Sequence, residues 1–142
     1  MSSMSGKAFI DANVLVYASD DDSPAKQHIA RTIIAEHSGR AVISTQVLQE
    51  YFVAATQILG IAPLTAKELI NAIRNAFETI LVSPEIINRA VDGSILWQVS
   101  FWDALILASA EDAACTVVIS EDLNSGQRYG GVRVENPFLD ME

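Results

Sequence analysis

Four acidic side chains occupy positions from which a folded chain can bring them together. Asp11 closes the first short apolar segment, and Asp122 lies just past the strongly β-branched residues 116–120. Glu50 and Asp103 lie on predicted helices with mostly apolar surroundings. Two carboxylates 4 Å apart repel by roughly 4 kcal/mol at an effective dielectric constant of 20. Four of them can therefore share a pocket only if some are protonated or a divalent cation neutralises them.

Each acid also has a simpler structural interpretation. Asp11 suits a turn or a helix cap, and Asp122 suits a turn. Glu50 lies along the apolar stripe of its predicted helix, so the simpler interpretation is a carboxylate at the stripe's edge that reaches solvent. Asp103 has capping-box spacing from Ser100, and a first-turn acid gains roughly 0.3–1 kcal/mol from the helix dipole. That dipole also keeps Asp103 ionised, so Asp103 can be both part of a helix cap and a metal ligand.

The chemistry of these side chains favours a hard cation. The formal charge of −9 argues against binding polyanions, because nucleic-acid affinity comes mainly from Lys and Arg. The single Cys115 and the two histidines, His28 and His37, do not suffice for a thiolate or imidazole metal site. Oxygen ligands without an EF-hand pattern select Mg²⁺ or Mn²⁺. Such an ion holds a phosphodiester, activates water and stabilises the leaving oxygen, which predicts phosphodiester hydrolysis.

Short apolar runs alternate with longer helical ones, which is typical of an α/β domain. Strands are predicted at residues 8–11, 41–44, 79–82, 116–120 and, as a weak edge strand, 132–134. Helices are predicted at residues 24–38, 45–59, 66–77, 84–98 and 101–113, with a further apolar stretch at 14–18. Thr65 and Glu68 have the spacing of a capping box for the third helix. Strands without polar alternation are buried on both faces, so helices on both sides of a mostly parallel sheet are expected. In such sheets, ligands bind at the carboxyl ends of the strands, near a switch in strand order.

Length and composition predict one domain over residues 1–142, with residues 1–7 flexible. The chain is half hydrophobic and carries no apolar run long enough to span a membrane. Residues 1–7 are too short and polar for a secretory signal, so we expect a soluble, cytoplasmic protein. The aromatic side chains in helical apolar stripes are expected to be core or subunit contacts rather than base-stacking platforms. These are Phe52, Phe77, Trp97 and Trp102.

Four segments, taken together and in order, resemble the PIN-domain ribonucleases, most closely the VapC-type toxins of bacterial and archaeal toxin–antitoxin pairs. They are residues 9–15 (FIDANVL), 49–52 (QEYF), 100–106 (SFWDALI) and 119–123 (ISEDL). Residues 136–139 (NPFL) also look like the end of that family's domain. Each motif alone is weak, whereas their joint order and spacing are specific. The resemblance implies a three-layer α/β/α sandwich with a mostly parallel central sheet and RNA cleavage that depends on Mg²⁺ or Mn²⁺.

The resemblance also implies roles for particular residues. Asp11, Glu50, Asp103 and Asp122 match the family's catalytic, metal-binding acids. Asp11 and Asp103 would bind the ion directly, whereas Glu50 and Asp122 would hold metal-bound waters or a second ion.

Other residues match less central positions of the family. Asn13 and Ser120 fall on supporting polar positions that hydrogen-bond the ligand carboxylates. Glu121 competes with Asp122 for the place of the fourth acid. The family further implies a homodimer, and an antitoxin protein that places a chain segment with a basic side chain in the acidic groove.

Two other functions remain open at the level of sequence. A Mg²⁺-dependent phosphoryl-transfer domain would use Asp11 as nucleophile, but the first strand ends in Asp-Ala-Asn rather than Asp-x-Asp. A non-catalytic PIN-like module would only bind RNA or a protein. The complete set of four acids favours the nuclease over both.

Overall fold

A central sheet organises the computed structural model, which describes residues 6–141. Its strands are β1 (Lys7–Ile10), β2 (Ala41–Ser44), β3 (Glu78–Ile80), β4 (Cys115–Ile119), β5 (Arg128–Tyr129) and β6 (Val132–Glu135). The order across the sheet is β3-β2-β1-β4-β6-β5. β5 runs antiparallel to β6, and the other neighbouring strands pair in parallel. The mostly parallel sheet predicted from the sequence is confirmed.

Helices flank this sheet and complete the three-layer α/β/α arrangement that the sequence predicts. They are α1 (Ala12–Ala18), α2 (Pro24–Glu36), α3 (Thr45–Gln57), α4 (Pro63–Ala76), α5 (Pro84–Trp97) and α6 (Phe101–Asp112), followed by a 3₁₀ helix (Leu139–Met141). α1 packs on α2 and α3, α3 packs on α4, and α5 packs on α6. No helix within residues 6–141 combines the length and apolarity needed to cross a membrane.

β1 and β4 lie side by side at the centre, where the strand order reverses. Phe9 is in register with Val118 and Ile10 with Ile119, and all four side chains are fully buried. This burial explains why both strands are apolar without alternation. The segments that follow β1 and β4 consequently leave the sheet next to each other, at the switch point where α/β sheets bind ligands.

The capping box predicted for α4 is wrong. The helix begins at Pro63, with Ala62 as N-cap and no side-chain capping bond, so Thr65 and Glu68 already lie inside it. Proline at the first helical position fixes a helical φ and has no N–H to leave unsatisfied, which allows this helix to start without a polar cap.

Two further features differ from the sequence prediction, apart from shifts of one to three residues at the ends of elements. The apolar stretch at residues 14–18 belongs to a helix, α1. The strand β5 was missed, because two residues are too short for any periodicity to register. Lys7 is the first residue of β1, and the flexibility expected for residues 1–7 stays a prediction. Residues 1–5 lie outside the described residues.

The aromatic side chains divide into two groups. Phe77 is buried and Trp97 packs edge-on against Tyr129 at 5.6 Å, as a core role requires. Phe52 and Trp102 are 39% and 62% exposed, so a core role is wrong for these two. A helical stripe can be apolar without being covered by the rest of the chain.

Candidate active site

Asp11 is both a helix cap and a buried carboxylate at the sheet edge. It follows β1 directly, and its Oδ1 accepts a 2.7 Å hydrogen bond from the Ala12 N–H as the N-cap of α1. Its Oδ2 accepts a 2.7 Å bond from the Ser120 hydroxyl, just past β4. The side chain is 6% exposed. The cap interpretation is therefore correct, and the cap fixes the carboxylate's orientation at the switch point.

Asn13 joins the segment after β1 to the segment after β4. Its Nδ2 donates to Asp122 Oδ2 at 3.1 Å and to the Ser120 hydroxyl at 3.3 Å, with a longer contact of 3.5 Å to Asp11 Oδ2. Its Oδ1 accepts from the backbone N–H of Glu121 at 3.2 Å. Asn13 and Ser120 thus contact the carboxylates directly, as the supporting role expected for them requires.

The other two acids lie on helices, Glu50 on α3 and Asp103 on α6. Glu50 lies on α3, and its Oε2 accepts a 3.3 Å bond from Gln46 one turn earlier. Glu50 is exposed, so its expected place along the buried stripe is wrong, and it borders the cleft instead. Asp103 lies in the first turn of α6, where the Ser100 hydroxyl accepts from its backbone N–H at 3.1 Å. The predicted cap at Ser100 is confirmed.

Sequence reasoning missed Gln46, which connects the two helices. Its Nε2 donates to Glu50 and also, at 3.4 Å, to the backbone carbonyl of Trp102. Its Oε1 is buried without a hydrogen-bond partner among residues 6–141. A glutamine four residues before an acid on a helix is the one signal that the sequence offered.

The four carboxylates influence one another electrostatically. The pKa of Asp11 is raised to about 6, first by burial and in smaller part by the charges of Glu50 and Asp122, against the opposing hydrogen bonds from Ser120 and the α1 backbone. Burial also raises the pKa of Glu50, with added effects from Asp122 and Asp103. The pKa of Asp103 is raised first by burial and then by Asp122. Side chains far apart in sequence therefore share one negative field.

No basic side chain neutralises this field within the part of the chain that the structure describes. The ion pairs found there leave Asp11, Glu50, Asp103 and Asp122 without a Lys, Arg or His partner. Carboxylates that share a negative field without a basic partner fit a site that a cation completes.

Glu121 points elsewhere. Its Oε2 accepts from the Lys26 ammonium at 2.7 Å and its Oε1 from the Tyr17 hydroxyl at 2.7 Å. Because Lys26 neutralises Glu121, and because Asn13 holds the side chain of Asp122, the geometry favours Asp122 as the fourth acid. The partners Lys26 and Glu121 are 95 residues apart, so no local pattern could have revealed them.

A cleft of about 750 Å³ opens beside these acids. Three of them, Asp11, Glu50 and Asp122, line it, together with Asn13 and Gln46. The rest of the lining is largely apolar and includes Val16, Val53, Ala54, Ile58, Leu59 and Trp102. This volume is in the range of pockets that enclose a small organic ligand.

The donor set consists of oxygen atoms, as a hard divalent cation requires. Within residues 6–141, no three Asp, Glu, His or Cys side chains are placed so that they could hold one ion together. Mg²⁺ usually keeps several waters and takes only one or two protein carboxylates. The arrangement is therefore suited to an aqua ion held by few carboxylates and unsuited to a cage made of protein ligands alone.

Fold and site together define an α/β/α domain with an acidic site at its topological switch point. The family model of the PIN domain matches residues 8–129. The chain belongs to the PIN domain family, and the resemblance seen in its sequence motifs is confirmed.

Solved structures share this fold. A toxin–antitoxin complex from Klebsiella pneumoniae aligns with a TM-score of 0.70 at 21% identity, covering 92% of this chain and 98% of that one. DNA-bound VapBC from Salmonella typhimurium aligns with a TM-score of 0.70 at 19% identity, with the same coverage. VapC20 of Mycobacterium tuberculosis, a sarcin-ricin loop cleaving toxin, aligns with a TM-score of 0.66 at 16% identity, over 79% of this chain and 87% of that one. The likeness to VapC-type toxins is thereby confirmed at the level of fold.

None of the curated proteins compared with this chain is significantly similar to it in sequence.

Proposed function

We propose that this protein is an endoribonuclease that depends on Mg²⁺ or Mn²⁺ and acts as the toxin of a VapBC-type toxin–antitoxin pair. One observation carries the proposal: Asp11, Glu50 and Asp122 come from three separate segments and line one cleft, and within residues 6–141 none of them has a basic partner. Membership of the PIN domain family supports a nuclease, and the toxin–antitoxin structures with the same fold support the toxin role. Its RNA substrate would place its action in the cytoplasm.

In this proposal the four acids have two different roles, according to their positions. Asp11, fixed by its cap and by Ser120, and Asp103, in the first turn of α6, would bind the ion, while Glu50 and Asp122 would orient waters around it. When bound, Mg²⁺ or Mn²⁺ makes water a better nucleophile and offsets charge on the phosphodiester. Asn13 keeps Asp122 in place, and Gln46 keeps Glu50 in place.

The hydrogen bonding of Asp11 fixes the orientation of its carboxylate and leaves it able to ligate an ion. Both of its oxygens accept short hydrogen bonds, and the side chain is almost completely buried. Each carboxylate oxygen has two lone-pair sites, so one remains on each oxygen for an ion. The first strand is followed by Asp-Ala-Asn rather than Asp-x-Asp, which disfavours the role of a phosphoryl acceptor.

We further propose an antitoxin protein and a second copy of the chain as partners. The cleft joins acids to the apolar side chains Val53, Ile58 and Leu59, which suits a segment with apolar residues and one basic side chain. On α5, the exposed side chains Ile87, Val91 and Ile95 recur at four-residue spacing, which suits a symmetric helix contact.

The decisive experiment measures RNA cleavage by the purified protein with Mn²⁺, with Mg²⁺ and with EDTA. We expect cleavage only with a metal, and a loss of at least a hundredfold in Asp11→Asn and Asp103→Asn. Asp92→Asn, which neutralises an exposed acid on α5, is the matched control and should cleave like the wild type. Circular dichroism must show that every variant is folded. Full activity in EDTA, or in both site variants, would refute the proposal.

A further inference from the structure

Trp102 is an exposed aromatic side chain at the edge of the acidic cleft. It precedes Asp103 in the first turn of α6 and lines the same cleft as Asp11, Glu50 and Asp122. With 62% of its surface exposed, the indole is in contact with water although the chain has an extensive core. An exposed tryptophan beside a reactive site suggests a surface that a ligand covers.

Trp102 contacts Phe101 through its ring and Gln46 through its backbone. Phe101 packs edge-on against it, with ring centroids 5.1 Å apart and an interplanar angle of 75°. The backbone carbonyl of Trp102 accepts a hydrogen bond from Gln46, which also donates to Glu50. Gln46 is itself buried, so the backbone at Trp102 is coupled to a site carboxylate.

The charge distribution indicates what kind of contact an RNA strand needs here. The chain has nine Lys and Arg residues, and none of them lines the cleft. Four of the nine, Lys7, Lys26, Arg89 and Arg133, form ion pairs with acids. Phosphate contacts usually dominate RNA affinity, and here the proposed cation would be the positive charge nearest the strand, so contacts to the bases gain importance. Base stacking on an aromatic ring does not require positive charge.

We propose that Trp102 is a stacking site for an unpaired base of single-stranded RNA, next to the phosphodiester that is cleaved. The inference rests on the proposed nuclease function and names a binding residue for its substrate. Bases in single-stranded or looped RNA can stack on an aromatic face, whereas bases inside a duplex are already stacked on one another. The site therefore selects unpaired RNA.

Three substitutions of Trp102 separate stacking from other effects. Trp102→Ala removes the side chain, Trp102→Leu keeps apolar area without a ring, and Trp102→Phe keeps a smaller ring. We expect the KM for a single-stranded RNA to rise on the order of 5- to 100-fold in the Ala and Leu variants and much less in the Phe variant. Phe52→Leu, which removes an exposed aromatic ring of α3 outside the cleft lining, is the matched control and should leave KM unchanged.

Abasic scanning of the same RNA tests whether a base makes the contact. Removal of one particular base should raise the wild-type KM as much as Trp102→Ala does, and should have little further effect in that variant. A wild-type KM in Trp102→Ala with intact cleavage would overturn the stacking site and leave the nuclease standing. Additive effects at every abasic position, or equal losses in all three variants together with a lower Tm, would also overturn it. If the wild type neither cleaves nor binds RNA, the proposed function itself fails and the stacking site with it.

Discussion

The Ser120 hydroxyl donates a 2.7 Å hydrogen bond to Asp11 Oδ2 and so connects the end of β4 to the end of β1. The same hydroxyl accepts from the backbone N–H of Asp122 at 3.1 Å and from Asn13 at 3.3 Å. The buried side chain of Ser120 thus sets the relative positions of Asp11 and Asp122, which are 111 residues apart in the sequence. Groups that orient metal ligands in this way tune the affinity of the site for the metal.

Ser120→Ala should weaken metal binding on the order of 10- to 100-fold. The substitution removes a donor that stabilises the ionised form of Asp11, so the pKa of Asp11 should rise further and fewer molecules will carry the carboxylate. Titration with Mn²⁺, followed by electron paramagnetic resonance, measures the change. Ser109→Ala is the control, because that hydroxyl is equally buried but has no hydrogen-bond partner within the described residues. Wild-type Mn²⁺ affinity in Ser120→Ala would contradict this expectation.

Asp11→Asn should stabilise the metal-free protein at neutral and alkaline pH. The pKa of Asp11 is about 6 in the folded protein, against 3.8 for an ordinary Asp, so the folded state binds more protons between these values. The free energy of unfolding of the wild type therefore falls as pH rises through this range. The stabilisation by Asn should approach about 3 kcal/mol above pH 7 at most, and should vanish below about pH 4. Thermal unfolding in EDTA at several pH values tests both the sign and the range.

Lys26→Met should lower the free energy of unfolding by about 1–3 kcal/mol, because it leaves the partly buried Glu121 without its ion-pair partner. Arg89→Met breaks the more exposed pair with Asp112 and should cost only about 0–1 kcal/mol. Urea unfolding compares the two variants, and Glu121→Gln should restore part of the loss in Lys26→Met. Equal losses in the two single variants would argue against a special role for the Lys26 pair.

Gly93→Ala should destabilise the protein, although alanine is favoured over glycine in a helix by about 1 kcal/mol. A Cβ at this position would lie 2.6 Å from Cζ3 of Trp97, on the same helix. We expect a net loss of about 1–3 kcal/mol from the overpacked contact. Chemical denaturation measures it, and Gly93→Ala combined with Trp97→Leu should lose less than the sum of the two single variants. A stabilised Gly93→Ala would show that Trp97 moves aside without cost.

Replacing Val91 and Ile95 by lysine should convert the proposed dimer to a monomer. Both side chains are exposed on α5, so the change does not disturb the core, but it places two charges in an apolar contact. Sedimentation velocity should show a dissociation constant raised at least tenfold. Leu139→Lys, at an exposed leucine in the C-terminal 3₁₀ helix, is the control. A wild type that sediments as a monomer would rule the α5 contact out.

The acids were accessible to sequence reasoning because local chemistry marks them. Asp11 and Asp122 follow largely buried, apolar strands, and carboxyl ends of parallel strands meet at one edge of a sheet. Asp103 follows a serine cap by three residues, and the structure contains that cap. Periodicity located Glu50 on its helix, but the exposure of Glu50 depends on how α3 packs and was predicted incorrectly.

Other features depend on contacts between distant residues, which no local pattern encodes. The geometry favours Asp122 over Glu121 because Lys26 reaches across from α2 and neutralises Glu121. Trp102 is exposed although its helix is otherwise largely buried, and its backbone is linked to Glu50 through Gln46 on another helix.

Local composition and periodicity thus determined the α/β class, the order of most elements and the identity of the candidate acids, because hydrophobic patterning and caps act within a few residues. The tertiary structure decided which acid faces the cleft, which aromatic ring meets solvent and how the carboxylates are held. Those outcomes depend on burial and on hydrogen bonds between segments, such as Ser120 and Asp11, that only the sheet's topology brings together.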